Sequence, residues 1–431
     1  YVTNINFSRD FAQSIGLRSF NLATGAELRF DNYQIIAGEE ASYRNYAPTS
    51  GRVGGAQVFP GFQPANAVNE TRTITGVYAD LETDLSERFL ANAAARFENY
   101  SDFGSNLAGK LAVRFKATDV ISIRGSISNG FRAPSMHQRY FSAVSTVFIS
   151  NGTTLVPVQN GTFNNASDVA RAFGIPSLKA EKSVNYSVGV TSRFKGFNLT
   201  VDGYRVTIKD RIVLTGAFTR TSPVVAGLLQ NYPDVGSVAL FTNAIDTRTT
   251  GLDIVLSRSA RLGKGSLNGS FAANINKTEV TQSRPLPDQL KGDPNLAEGV
   301  LFDREQRRRI EKGQPRNKIT LGLTYTEGPF TVNGRVTRFG EVESADRLNP
   351  ALDEKFDARM VTDASIGYKI GNFATITIGA NNIGNVYPER LEQYGNTSLG
   401  RFIYSRSATQ FGFNGGYYYT SLSFDISNLK K

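Results

Sequence analysis

The stretch that decides the fold is Ala374-Thr-Ile-Thr-Ile-Gly-Ala-Asn381, in which aliphatic or small residues alternate strictly with Thr, Gly and Asn. A period of two places the apolar side chains on one face of an extended strand and the polar ones on the other. The same alternation recurs at 111–116, 121–128, 184–191 and 418–427. The sequence therefore predicts an all-β protein whose strands have one apolar face and one polar face.

Connection lengths separate two architectures that share this alternation, a soluble β-sandwich and a membrane β-barrel. The pattern gives about fifteen strands, joined in turn by short turns and long loops, with 101–105 as a short exception. The turns fall at 85–87, 117–119, 195–196, 262–264, 327–328 and 370–371, and the long loops at 37–72, 131–180, 209–237, 281–314, 341–357 and 383–413. This sorting predicts an antiparallel transmembrane β-barrel, because such barrels have short periplasmic turns and long extracellular loops.

The composition agrees with a strand-rich chain and excludes several classes of site. The 431 residues include 41 Gly, 18 Tyr and 29 Phe but no Cys, which excludes disulfides, thiolate nucleophiles and cysteine zinc sites. No run of about 18 apolar residues occurs, so no transmembrane helix is predicted. The net charge of +10 fits basic residues spread over loops and the polar sheet face. Nucleic-acid binding is not predicted, because the aromatic residues fall on strands rather than among clustered basic residues.

Several motifs, taken in order, resemble those of one family. Gly130-Phe-Arg-Ala-Pro-Ser135 closes a strand, and Leu178-Lys-Ala-Glu-Lys-Ser-Val-Asn-Tyr-Ser-Val-Gly189 leads into the next one. Further matching segments lie at 25–33, 97–104, 381–388 and 411–419. Together these motifs resemble the TonB-dependent outer-membrane receptors, and the resemblance covers the whole chain.

The resemblance implies a larger barrel than this chain can build alone. Receptors of this family have a 22-stranded wall and a plugged lumen. We therefore expect residues 1–431 to form a single partial barrel domain, which supplies about fifteen strands of the wall and contains no plug. Open sheet edges are unfavourable in lipid, so the remainder of the barrel is expected on missing sequence or on another chain. The alternative is a complete barrel with fewer strands, which requires an even strand number.

The resemblance also implies a location and an activity. We expect the chain in the bacterial outer membrane, in contact with lipid and lipopolysaccharide and coupled to TonB through the missing plug. The expected activity is active import of a scarce small-molecule ligand, most commonly a ferric siderophore. Cobalamin, haem, an oligosaccharide or a peptide are alternative ligands, and a passive porin is an alternative function. No cofactor is expected.

The long loops hold the candidate ligand residues, because loops on a rigid scaffold usually carry specificity. One group follows the strand that ends at Gly130, and the second is an arginine run that precedes Pro315. A basic, aromatic vestibule for an anionic ferric chelate would be formed by Arg132, His137, Arg139, Tyr140, Arg304, Arg307 and Arg308. For the arginine run the alternative is solvated charge or contact with lipopolysaccharide phosphates. For 131–135 it is a structural turn in which Pro134 fixes φ.

Catalysis is not predicted for this chain. His137 is the single histidine and lies on a loop, so no site with several histidine ligands can form. The sequence contains no Gly-x-Ser-x-Gly elbow, no Gly-x-x-x-x-Gly-Lys-Ser/Thr loop and no His-Glu-x-x-His helix. We therefore expect no catalytic, cofactor-binding or metal-binding residues. An outer-membrane protease that uses His137 is a minor alternative.

Overall fold

A computed structural model describes residues 1–12, 18–47, 55–56, 60–150, 155–232, 235–293, 296, 298–347, 349–397 and 400–425. Most of this described part is β-strand. The strands are β1 (Val2–Asp10), β2 (Ser19–Ile35), β3 (Val68–Asp84), β4 (Phe89–Tyr100), β5 (Gly104–Lys116), β6 (Ile121–Arg132), β7 (Ala143–Ser150), β8 (Leu155–Phe163), β9 (Glu181–Phe194), β10 (Phe197–Leu214), β11 (Phe218–Thr219), β12 (Val235–Leu262), β13 (Gly265–Ser283), β14 (Asn317–Glu327), β15 (Phe330–Phe339), β16 (Val342–Ser344), β17 (Glu354–Phe356), β18 (Arg359–Ile370), β19 (Ala374–Asn381) and β20 (Tyr417–Phe424).

Fifteen of these strands form one antiparallel wall, in the hydrogen-bonded order β1-β2-β3-β4-β5-β6-β9-β10-β12-β13-β14-β15-β18-β19-β20. Every wall strand pairs with the wall strand that follows it in the sequence. This order is the up-and-down arrangement expected of a barrel wall. The predicted antiparallel strands and their approximate number are confirmed.

The apolar face of the wall is exposed. In β9, Val184, Tyr186 and Val188 keep 39%, 50% and 61% of their surface accessible, and in β5 Leu107 and Leu111 keep 64% and 60%. In a soluble sandwich a second sheet would cover such a face. The described residues provide no second layer here, and an exposed aliphatic face is the arrangement expected of a barrel wall in a membrane.

The opposite face of the wall carries ion pairs between strands. Arg124 of β6 reaches across Gly189 of β9 to Asp202 of β10, with Nε 2.9 Å from Oδ1. Arg335 of β15 donates to Asp363 of β18 through Nη2 at 2.9 Å. Because side chains alternate along each strand, these charges point away from the exposed aliphatic face. The wall thus separates an apolar surface from a charged one.

The main hydrophobic core lies where the long connections pack against the ends of wall strands β10, β12 and β13. Phe173, Phe218, Leu229, Leu240 and Leu290 are fully buried there and belong to one cluster. Helices within the connections are α1 (Glu40–Tyr43), α2 (Met136–Tyr140), α3 (Asp168–Ala172), α4 (Pro223–Leu228) and α5 (Arg304–Lys312). Single 3₁₀ turns occur at Pro64–Asn66, Asp288–Leu290, Glu298–Val300, Pro350–Leu352 and Tyr394–Thr397. The connections therefore form an organised cap at one end of the wall.

Short strands inside the connections are a feature that the sequence pattern did not predict. β7 pairs with β8, and β8 then runs parallel to the start of β12, which also pairs with β11. β16 and β17 form a separate two-stranded sheet. The parallel pairing joins residues that are far apart in the sequence, so local alternation gives no sign of it.

The edges of the wall are β1 and β20. Within the described ranges, β1 pairs with β2, β20 pairs with β19, and no hydrogen-bonded register joins the two edge strands. All residues of β1 are exposed. Edge strands present unpaired backbone N–H and C=O groups that favour pairing with another strand. The helices of the described residues do not include one that is long and apolar enough to cross a membrane.

Candidate functional site

Arg132, at the end of β6, contacts the neighbouring wall strand. Its guanidinium donates through Nε to Oε2 of Glu181 at 3.0 Å and through Nη2 to Oε1 of the same carboxylate. Glu181 is only 4% exposed and also accepts a hydrogen bond of 2.8 Å from the backbone N–H of Ile212. A bidentate pair fixes the orientation of both side chains. Arg132 thus ties β6 to β9 and β10 where the wall meets the cap.

Arg139 belongs to a second buried ionic cluster. Arg72, which is 5% exposed, donates through Nη2 to Oδ2 of Asp102 at 2.7 Å and to the carbonyl oxygen of Pro134 at 2.9 Å. Arg139 lies 3.5 Å from the same carboxylate and donates to the backbone carbonyl of Asp102. The predicted vestibule residue Arg139 therefore positions α2 over the wall, and Pro134 takes part in the same contact.

His137 lies in an aromatic patch, which we define as Tyr33, Phe62, His137, Phe141 and Phe241. The imidazole stacks on Phe141 with ring centroids 4.3 Å apart, and its Nδ1 is 3.1 Å from the hydroxyl oxygen of Tyr33. The His137 side chain is exposed, so this patch faces solvent or a ligand. Tyr140, at the end of α2, packs against the guanidinium of Arg139, and burial raises its pKa.

The predicted arginine run forms α5, and its first and fifth residues hold that helix to the next connection. Arg304 makes a bidentate ion pair with Asp353, at 2.9 and 2.6 Å. Arg308 pairs with Glu343. Both contacts join α5 to the connection between β15 and β18. Arg304 also lowers the pKa of the Asp353 carboxyl, because the charged hydrogen bond stabilises the ionised form.

Arg307 and Arg309 differ from the other arginines of α5. Arg307 donates to the hydroxyl of Ser283 at 3.2 Å and lies 3.8 Å from Glu311. Arg309, which is not one of the predicted vestibule residues, lines a cavity next to Glu305 and Arg406. Helical spacing could have indicated that Glu305 and Arg309 share a face of α5, because residues four apart lie on one side of a helix. The structure therefore brings together three charged residues, none of which is in the predicted set.

The family of the chain is shown by its sequence. A family described as TonB dependent receptor-like, beta-barrel matches residues 1–383. The chain belongs to the TonB-dependent receptor family. The match includes every wall strand except β20. Members of the TonB-dependent receptor family are outer-membrane receptors and not enzymes.

A curated sequence and several solved structures are similar to this chain. The probable TonB-dependent siderophore receptor PirA of Acinetobacter baumannii is 29% identical over 118 residues, which are 27% of this chain and 14% of the relative. The crystal structure of PirA from Acinetobacter baumannii has a TM-score of 0.63 at 16% identity and covers 98% of this chain and 54% of that one. A variant of the ferric enterobactin receptor PfeA of Pseudomonas aeruginosa, in complex with enterobactin, has a TM-score of 0.64 at 16% identity. The alignment covers 98% of this chain and 53% of that receptor.

A third similar structure is the ferripyoverdine receptor of Pseudomonas aeruginosa bound to ferripyoverdine. Its TM-score is 0.60 at 12% identity, and the alignment covers 98% of this chain and 48% of that receptor. At these identities the structural likeness shows the fold alone. The chain spans about half the length of these solved TonB-dependent receptors.

Proposed function

We propose that this chain forms part of the wall and the extracellular cap of a bacterial outer-membrane receptor that imports a ferric siderophore. The family match over residues 1–383 carries this proposal. Further support comes from the similar proteins, which are receptors for siderophores. The exposed aliphatic face would contact lipid and, at the outer leaflet, lipopolysaccharide.

Residues 1–431 would form one partial barrel domain, and further strands would complete the wall. The two unpaired edges β1 and β20 support this proposal, because each unsatisfied backbone group in lipid costs several kcal/mol. The greater length of the solved relatives agrees with it. The additional strands, and a plug that contacts TonB, would lie on sequence outside this chain or on another chain.

The proposed ligand-contacting surface is the cap. The aromatic patch offers exposed rings, and the cap residues that we propose to face the ligand or its path are Arg132, His137, Arg139, Tyr140, Arg304, Arg307 and Arg308. The arginines of this set are already held by carboxylates, a hydroxyl or a backbone carbonyl, so they would act from fixed positions. A fixed charged surface can attract an anionic chelate without reorganising.

Uptake in intact cells tests the proposed function. A strain that lacks the full-length gene is given a panel of radiolabelled ferric chelates, with and without a protonophore. We expect loss of uptake of one ferric siderophore, recovery on complementation, and abolition of the recovered uptake by the protonophore. Unchanged uptake of every chelate would contradict siderophore import. Recovered uptake that resists the protonophore would indicate the passive porin instead.

A further inference from the structure

A cavity of about 420 Å³ lies in the cap, between α5 and two other connections. One wall is the Glu305 and Arg309 face of α5, and a second is formed by residues 344–346. The third wall comes from the connection between β19 and β20, and the cavity residues that it contributes are Leu391, Gly395, Asn396, Ser405, Arg406 and Ser407. Three segments that are distant in the sequence therefore converge on one partly open cavity.

Three charged side chains of this cavity make no close ion pair. Within the described ranges, Glu305, Arg309 and Arg406 make no salt bridge and no side-chain hydrogen bond, although all three line the same space. Arg309 and Arg406 are exposed. Arg406 packs on Phe402, with its guanidinium carbon 5.3 Å from the ring centroid, and its charge acts on Glu305 at longer range. Most other arginines of α5 are paired, so the unpaired state of Arg309 sets it apart. Charged groups held around a cavity without partners can hydrogen-bond to a ligand.

The walls of the cavity are fixed in place by contacts behind them. Arg304 joins α5 to Asp353, and both Arg308 and Lys312 pair with Glu343, which precedes the cavity residue Ser344. These ion pairs hold α5 against the connection between β15 and β18. A site whose walls are held in this way is preorganised, so binding does not have to order it.

The lining chemistry indicates the class of ligand. Two guanidinium groups on separate segments suit a carboxylate, because the planar fork of arginine matches its two oxygens. The carboxylate of Glu305 would repel a doubly charged phosphate more strongly than a singly charged carboxylate, and its oxygens can accept hydrogen bonds from ligand hydroxyls. Ser344, Ser405 and Ser407 add neutral hydroxyl groups to the lining. Burial raises the pKa of Glu305, and the nearby carboxylates of Asp303 and Asp346 raise it further.

We propose that this cavity binds a polyhydroxylated carboxylate of the sugar-acid class, through Arg309 and Arg406. The carboxylate would lie between the two guanidinium groups, and the ligand hydroxyls would meet the serine and carboxylate oxygens. This inference rests on the proposed function in one respect, which is that the cap faces incoming ligands. The site is distinct from the aromatic patch, because none of the five patch residues lines the cavity.

Calorimetric titration of the purified full-length protein in detergent micelles tests the site with gluconate as the probe. Glucose is the matched neutral polyol, and inorganic phosphate is the matched simple anion. We expect gluconate to bind at least about tenfold more tightly than either, since each hydrogen bond to a charged group contributes about one to two powers of ten in affinity. Arg309→Gln and Arg406→Gln should each weaken gluconate binding by about 10- to 100-fold.

Arg401→Gln is the control, because it removes the same charge from the connection that carries Arg406, is exposed, and does not line the cavity. It should leave gluconate affinity within about twofold. Absence of gluconate binding, tighter binding of phosphate, or equal losses in Arg401→Gln and Arg406→Gln would overturn the site. Failure of this titration in a protein that still imports a ferric siderophore would refute the site alone. Gluconate binding without siderophore uptake would refute the proposed function alone.

Discussion

The buried pair of Arg72 and Asp102 gives the strongest prediction for stability. Their side chains are 5% and 8% exposed, and Arg72 has one further acceptor, the carbonyl oxygen of Pro134. Asp102→Asn keeps the size of the side chain but leaves the guanidinium buried without its counter-charge. Removing one partner of a buried ion pair costs about 3–5 kcal/mol, and we expect a loss in this range. The free energy of urea-induced unfolding in detergent micelles, followed by far-ultraviolet circular dichroism, measures it.

Two further variants test whether burial sets the contribution of this ion pair to stability. Glu87→Gln removes an ion pair to Arg18, but the two side chains are 79% and 59% exposed, so the unfolding midpoint should not change measurably. Combining Asp102→Leu with Arg72→Met should recover part of the loss, because it removes the buried charge of Arg72, while the partly exposed Arg139 keeps its backbone acceptor. Equal destabilisation by Asp102→Asn and Glu87→Gln would show that burial does not control the strength of these pairs.

Three other predictions address packing and pH. Gly251→Ala should destabilise the wall by about 1–3 kcal/mol, because the added Cβ would overlap the ring of Tyr204 on the paired strand, whereas Gly334→Ala meets open space and should cost less in urea unfolding. Glu305 has a raised pKa, so the folded state binds its proton more tightly and stability falls as pH rises above the ordinary value of 4.5. Glu305→Gln should thus gain stability over the native protein between pH 4.5 and neutrality, and a constant difference in unfolding free energy would contradict this. Asp353 has a lowered pKa, so its contribution is present above the ordinary value of 3.8 and is lost as pH falls further. Asp353→Asn should cost about 1 kcal/mol at pH 7, and this difference should disappear in acid unfolding curves.

The wall could be predicted from the sequence because its determinants are local. Alternation in segments such as 374–381 fixes which side chains share a face, and the period of two leaves little freedom in register. Connection length then identified the end of the wall at which the long loops gather. The structure confirms the shared faces of the strands and the end of the wall that carries the long loops. It also shows the predicted short turns, such as 195–196 between β9 and β10.

The contacts of the candidate site could not be predicted in the same way. The run from Arg304 to Arg309 shows where positive charge lies but not which residues pair with it. The partners, Glu343 and Asp353, lie in a different connection. Helical phase decides that Arg308 is paired while Arg309 lines the cavity. Arg406 reaches the same cavity from beyond β19. The local sequence around each of these residues does not indicate that they meet at one cavity.

By itself, the sequence determined the strand pattern, the two-faced wall, the side of the wall that carries long loops and the family. Only the tertiary structure decided that these loops build a hydrophobic core together with the ends of three wall strands, which arginines are neutralised, and which charges line a cavity without a close ion pair. The physical reason is the range of the forces. Backbone pleating acts between neighbouring residues, whereas burial and ion pairing depend on segments that meet only after the chain has folded.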